Sequence, residues 1–76
     1  MKACVLIRVR PGRHQRVADK IAGLPGITDA FPVMGTADIV ARLEVKDLKA
    51  LTALGTKIGN LHDVITTETL VAAGAK

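Results

Sequence analysis

Residues 3–9 read ACVLIRV, and no other stretch constrains the fold as tightly. In an extended chain, successive side chains point to opposite faces. Ala3, Val5, Ile7 and Val9 therefore share one face, and Cys4, Leu6 and Arg8 share the other. Both sets are apolar for most of their length. A strand of this kind needs cover on both sides, which places it in the middle of a sheet. Pro11-Gly12 ends it, because proline lacks an amide donor and glycine turns readily.

The period then changes. In residues 13–24, RHQRVADKIAGL, Val17, Ile21 and Leu24 fall on one stripe with Ala18 beside them. Arg13, Arg16, Asp19 and Lys20 point away, which predicts a helix. Gly23 weakens its last turn and Pro25-Gly26 stops it. His14, in the first turn, is expected to be an exposed polar side chain. Residues 27–34, ITDAFPVM, predict a second strand, and Pro32 confines it to a sheet edge because it cannot donate to a ladder. Residues 38–45, DIVARLEV, alternate between Ile39, Ala41, Leu43, Val45 and Val40, Arg42, Glu44. Asp47 caps a second helix over 47–59, with Leu48, Leu51, Leu54 and Ile58 inward. Gly55 dents it and Gly59-Asn60 closes it. The last strand is VITTETLV, residues 64–71, and AAGAK after it is expected to fray.

The order is βαββαβ. Right-handed crossovers put both helices on one face of a four-stranded antiparallel sheet, in the spatial order fourth, first, third, second. The fold class is α+β, ferredoxin-like. The opposite sheet face stays bare, and whichever set of the first strand points there is largely apolar. An exposed patch of that size marks an interaction surface. The simplest partner is a second copy packed sheet to sheet about a two-fold axis, as in a dimeric α/β barrel.

Length and composition support self-association. Seventy-six residues make a single domain, 1–76. A chain this short buries only about 60% of its unfolded surface. Cys4 is the only cysteine, so no internal disulfide can form. His14 and His62 lack zinc-ligand spacing. With 49% hydrophobic residues, the chain carries more apolar side chain than so small a body can hide. The net charge is +4, and positive residues gather at Arg8, Arg10, Arg13, Arg16 and Lys20. These form either a solvated basic face or a surface for an acidic partner or nucleic acid. Phe31 is the only aromatic residue, too few for a base-stacking surface. No apolar run approaches the ~20 residues of a membrane span, and Met1-Lys2 runs straight into a strand with no signal peptide. One unpaired cysteine fits a reducing cytoplasm.

Catalytic motifs are missing. Cys4 sits mid-strand in an apolar run, where a thiol is inert packing. The carboxylates show no paired spacing, and neither GxxxxGK[ST] nor GxGxxG occurs. Metal carriers of this plan place CxxC after the first strand, where this chain has PGRH. No catalytic residue, metal or cofactor is assigned. Two features stay open. In VMGTADIVARLEV, residues 33–45, Gly35 and Asp38 either make a turn or clear a floor for a ligand with a cationic end. Thr66, Thr67, Glu68 and Thr69 either reflect β propensity or set hydroxyls near a ligand.

The segments VLIRVRPG (5–12), LPGITDAFPVMGTADIVARLEV (24–45), DLKAL (47–51) and VITTETLV (64–71), in this order and spacing, resemble the RAM domain. This is the effector-binding domain of the Lrp/AsnC family, the leucine-responsive and asparagine-type transcription regulators. The resemblance implies βαββαβ units paired through their sheets, with dimers joining into tetramers, octamers or larger rings. It implies small effectors, usually amino acids, bound between dimers near the turn corresponding to GTAD. Family regulators carry a helix-turn-helix before this domain. The present chain starts at the first strand and resembles the stand-alone RAM proteins. Direct sequence-specific DNA binding is therefore not expected, and a full-length Lrp/AsnC-type regulator is an expected partner. Ala37 departs from relatives that have a larger, often aromatic residue there.

The ligand-binding residues expected on this basis are Gly35, Thr36, Ala37, Asp38, Thr67 and Thr69. Asp38 suits an α-ammonium group through a charge-assisted bond. The ligand carboxylate would meet amides of Gly35 to Ala37, or the hydroxyls of Thr67 or Thr69. The reading is a non-enzymatic amino-acid sensor. One rival is a small dimeric α/β-barrel enzyme such as a cofactor-free monooxygenase, which needs ring-bearing side chains that this chain scarcely has. Another is a regulatory domain of the ACT type, whose glycine-rich turn follows the first strand, where PGRH is a poor match.

Overall fold

A computed structural model describes residues 1–73. The elements are β1 (Lys2–Val9), α1 (His14–Ala22), β2 (Ile27–Pro32), β3 (Ile39–Glu44), α2 (Leu48–Gly59) and β4 (Val64–Val71). The sheet order is β2-β3-β1-β4, with every neighbouring pair antiparallel. This is the expected order, with β1 central and β2 at an edge where Pro32 removes no ladder bond.

Ala3, Val5, Ile7 and Val9 form the inward set of β1, and Val5 and Ile7 are fully buried. They join Ile39, Ala41 and Leu43 of β3 and the stripes Val17, Ile21 of α1 and Leu51, Leu54, Ile58 of α2 in one core. Each helix gives the sheet a stripe spaced three or four residues apart, and strand alternation gives the sheet one apolar face to receive it. The Asp47 side chain accepts the Ala50 N–H at 2.8 Å and caps α2. Arg13, before α1, makes no side-chain cap.

Several boundaries are tighter than the pattern predicts. Gly23 and Leu24 lie outside α1, although their amides still donate to Lys20 O and Ile21 O at 3.3 and 3.0 Å. Strand β2 stops at Pro32, and only Val33 continues the contact, donating to Asp38 O at 2.9 Å. Gly26 has φ +95°, and a β-carbon there would stand 3.3 Å from Val45 Cγ1, so both backbone and space call for glycine. The tail expected to fray starts paired, since Ala72 N–H donates to Lys2 O at 2.9 Å. Residues 74–76 lie outside the described residues.

The register settles which face is bare. Leu6 stands opposite Val40 on one side and Glu68 on the other, and Cys4 opposite Arg42 and Leu70. Directly opposed residues share a face. The uncovered face therefore carries Cys4, Leu6, Val40, Phe31 and Leu70. Phe31 and Leu70 are 40% and 44% exposed.

Candidate functional site

The segment between β2 and β3, residues 33–38, is built around Gly35 and Asp38. Gly35 has φ +143°, a backbone state that side-chain-bearing residues rarely adopt. Asp38 N–H donates to Ile7 O at 2.9 Å and starts β3 beside β1. Its carboxylate then reaches past the ladder. Oδ2 accepts the Val9 N–H at 2.9 Å, and Oδ1 lies 3.3 Å from His14 Nε2. One side chain thus ties the loop to the end of β1 and the start of α1.

The Val9 N–H is the main reason that the Asp38 carboxyl sits below its usual value of 3.8. Partial desolvation opposes this, and the hydrogen bond and charge of His14 and the nearby charge of Arg8 add to it. His14 departs from the exposed role expected of it: it is partly covered and bonds Asp38. Sequence spacing carries no sign of this, because the two residues meet only when α1 folds back over the sheet.

A cavity of about 150 Å³ opens next to this loop on the bare sheet face. Leu6 and Arg8 of β1 line it, with Thr36 and Ala37 on one side and Thr66, Thr67 and Glu68 of β4 on the other. Three of the expected site residues, Thr36, Ala37 and Thr67, meet there. Gly35 and Asp38 belong to the same loop without lining the cavity. Thr69 lies elsewhere, in a groove of about 590 Å³ between α2 and β4, which Thr67 also lines. Strand alternation puts Thr67 and Thr69 together on the helix side, opposite inward-facing Ile7 and Val5, and Glu68 on the bare side opposite Leu6; Thr67 touches the cavity as the residue between Thr66 and Glu68. Arg8, Thr66 and Glu68 are the lining residues that sequence reasoning left out. Alternation groups them with Leu6 only once the β1–β4 register is known.

Other polar clusters serve the scaffold. Arg42 pairs with Asp29 across β3 and β2, through Nε at 2.9 Å and a second bond from Nη2. This pairing holds the Asp29 carboxyl below its usual value. Asp63 has φ +74° and is buried, with Arg13 and Arg10 at 3.5 and 3.7 Å and His62 at 3.5 Å. Its carbonyl accepts the Arg10 N–H at 2.9 Å, so it joins the turn after β1 to the turn before β4. Among the described residues, no group of three or more His, Cys, Asp or Glu could hold a metal ion. No helix among them is long and apolar enough to cross a membrane.

Known proteins share this architecture. The family model described as the Lrp/AsnC ligand binding domain matches residues 2–75. The HTH-type transcriptional regulator FL11 of Pyrococcus furiosus is 28% identical over 69 residues, which are 91% of this chain and 46% of that protein. Its Pyrococcus horikoshii counterpart is 28% identical over 93% of this chain and 47% of its own length. The chain thus spans about half the length of the curated relatives it matches. The crystal structure of TTHA0845 from Thermus thermophilus superposes with TM-score 0.92 at 39% identity, covering 99% of this chain and 95% of that one. E. coli AsnC superposes with TM-score 0.84 at 22% identity, covering 95% of this chain and 50% of its own; at that identity the likeness concerns the fold.

Proposed function

This chain belongs to the Lrp/AsnC ligand-binding domain family, and on that premise we propose that it is a non-enzymatic domain that binds an amino-acid effector and self-associates. Its output is regulation of transcription or amino-acid metabolism in the cytoplasm, exerted through a full-length Lrp/AsnC-type regulator rather than by direct sequence-specific DNA contact. The observation that carries the effector reading is the cavity of about 150 Å³ closed by the Thr36-Ala37 turn against β4. Drug-sized ligands occupy roughly 300–1,000 Å³. A space below that range, lined by hydroxyls and charges, suits a metabolite of a few heavy atoms.

Within this reading the residues take different parts. Gly35 gives the loop its course, and amides of the Gly35–Ala37 stretch face the effector, with β4 across from them and Thr67 at its wall. Asp38 holds the loop in place, because both of its oxygens already have partners in the chain. Thr69 is left to the wall of the α2 groove. The bare sheet face, with Leu6, Val40 and Phe31, supports a second copy as the first partner. Dimers then join into tetramers, octamers or larger rings.

A thermal-shift screen with the standard L-amino acids tests the effector reading. A ligand that binds only the folded state, at a hundred times its Kd, adds about 2.7 kcal/mol of stability. In a domain of this size that raises Tm by roughly 10–20 °C. If no amino acid raises Tm, the effector reading is overturned.

A further inference from the structure

The turn after β1 and the outer side of α1 gather positive charge. Residues 10–20, RPGRHQRVADK, set Arg10, Arg13, Arg16 and Lys20 against a single acid, Asp19. All four cations are exposed. Val17 and Ile21 take the inward stripe of α1, and Arg13, Arg16 and Lys20, three and then four residues apart, follow one row outside it. Asp19 belongs to a separate row with Gln15, whose Nε2 donates to its carboxylate at 2.8 Å. Arg10 and Arg13 are anchored from below. Their Nε atoms lie 3.7 and 3.5 Å from the buried Asp63 carboxylate, yet their side chains stay 69% and 52% exposed. Arg16 and Lys20 belong to no ion pair among the described residues. The result is an exposed cationic ridge, fixed at one end and free at the other.

Basic residues clustered along one helix, on a chain of pI near 9.7, form the electrostatic footprint of a polyanion partner. The dimensions of the ridge select among polyanions. Arg13 to Lys20 covers about 10 Å at 1.5 Å per residue. A duplex strand places a phosphate about every 3.4 Å along its axis, so the ridge matches about three consecutive phosphates. Guanidinium groups suit them, because they bind phosphate through two parallel hydrogen bonds. No stacking surface accompanies the cations: Phe31, the only aromatic residue, lies on the bare sheet face. The bases of a single strand would need one. We infer that the α1 ridge, with Arg10, Arg13, Arg16 and Lys20, is a docking surface for the phosphate backbone of duplex DNA. It holds the domain on a duplex without reading sequence, since phosphate contacts position a protein and base contacts specify. The ridge lies on the helix side of the sheet. A second copy on the bare face therefore leaves it open and gives the pair two ridges pointing away from each other.

The test uses the whole chain with Arg16→Gln, Lys20→Gln and the two combined. Both side chains are exposed and unpaired, so fold and assembly should persist, which melting curves and light scattering check. A control variant, Lys49→Gln with Lys57→Gln, loses the same charge from exposed positions on α2. Fluorescence anisotropy follows a labelled duplex over a salt series from about 50 to 200 mM. Three neutralised phosphates give a slope of log K against log salt of about −2.7, roughly a fortyfold loss of affinity over that range. Each single variant should reduce the slope by about one, and the combined variant should bind at least about tenfold more weakly at the lowest salt. The α2 control should keep the wild-type slope, and a duplex of another sequence should give the same curves. No binding at the lowest salt overturns the docking surface. An equal loss in the α2 control also overturns it, because net charge alone would then account for binding. Poly-L-glutamate is the last arm. If it binds through Arg16 and Lys20 more tightly than the duplex does, the ridge serves an acidic protein surface and the assignment to DNA is overturned. A failed amino-acid screen leaves the ridge untouched, since none of its four residues lines the cavity.

Discussion

The Asp38 carboxylate accepts the backbone N–H of Val9 at 2.9 Å, just past the last β1–β3 pair, Ile7 opposite Ile39. A ladder that ends leaves the next amide on that side without a strand partner. Asp38 supplies one from a different part of the chain, and its second oxygen takes His14 at 3.3 Å. The carboxylate that sequence reading linked to a ligand thus also holds three segments together.

The pH dependence follows from that occupancy. The Asp38 carboxyl is held below its usual value of 3.8, first by the Val9 N–H. A carboxyl depressed in the folded state contributes stability above its unfolded pKa, and the contribution is lost as pH falls through the folded value. The affected window therefore lies below about pH 4. Asp38→Asn keeps the size of the side chain and one acceptor, but its NH2 group cannot accept from His14. The variant should fold, with a lower urea midpoint than wild type at neutral pH. The gap should narrow as the pH drops through that window. A gap independent of pH would show that the charge of Asp38 plays no part.

Gly35→Ala separates backbone conformation from crowding. A β-carbon at Gly35 would meet nothing within 4 Å, so any cost comes from the φ of +143°. Residues held in such sparsely populated states cost about 1–3 kcal/mol. The urea midpoint should fall accordingly with an unchanged m-value. An unaltered midpoint would mean that the loop relaxes to another course.

Leu6 and Ile7 are adjacent in sequence and point to opposite faces of β1. Ile7 is fully buried under the helices, and Ile7→Ala should cost about 2–5 kcal/mol of folding stability. Leu6 faces the bare side. Leu6→Asp would place an unpaired charge wherever a second copy covers that face. Light scattering should then report smaller particles than wild type, or circular dichroism should report loss of fold if the chain cannot stand alone. A wild-type chain that stays an 8.0 kDa monomer at micromolar concentration would remove the sheet-to-sheet pairing.

Duplex DNA should bind this chain, if at all, without sequence preference. Both helices turn their apolar stripes to the sheet, and the exposed Arg10, Arg13, Arg16 and Lys20 offer phosphate contacts. Such contacts weaken steeply with salt. Titrations of several duplexes over a salt series should give superimposable curves. A sequence preference that persists at physiological salt would count against an indirect, regulator-mediated role.

The order βαββαβ, the central place of β1, the edge place of β2 and the inward stripes of both helices were legible in the sequence, except that Leu48, expected inward, is exposed at the start of α2. They follow from local periodicity and from Pro32, which act over a few neighbouring residues and need no knowledge of distant ones. The turn at Gly35 leading into β3 was legible for the same reason, since a glycine before a carboxylate and a strand is a local signal. The contents of the cavity were not. The threonines of TTET look alike in a linear reading, yet Thr67 and Thr69 belong to the helix side and Thr66 and Glu68 to the bare side. Only the pairing of β4 with β1, made across about sixty residues of chain, decides which is which, because a one-residue slip exchanges the faces. Tertiary structure likewise decided the partners of Asp38 within the chain. Its partners Val9 and His14 come from an earlier strand and from the helix that follows it, and the fold alone brings a backbone amide and an imidazole to one carboxylate.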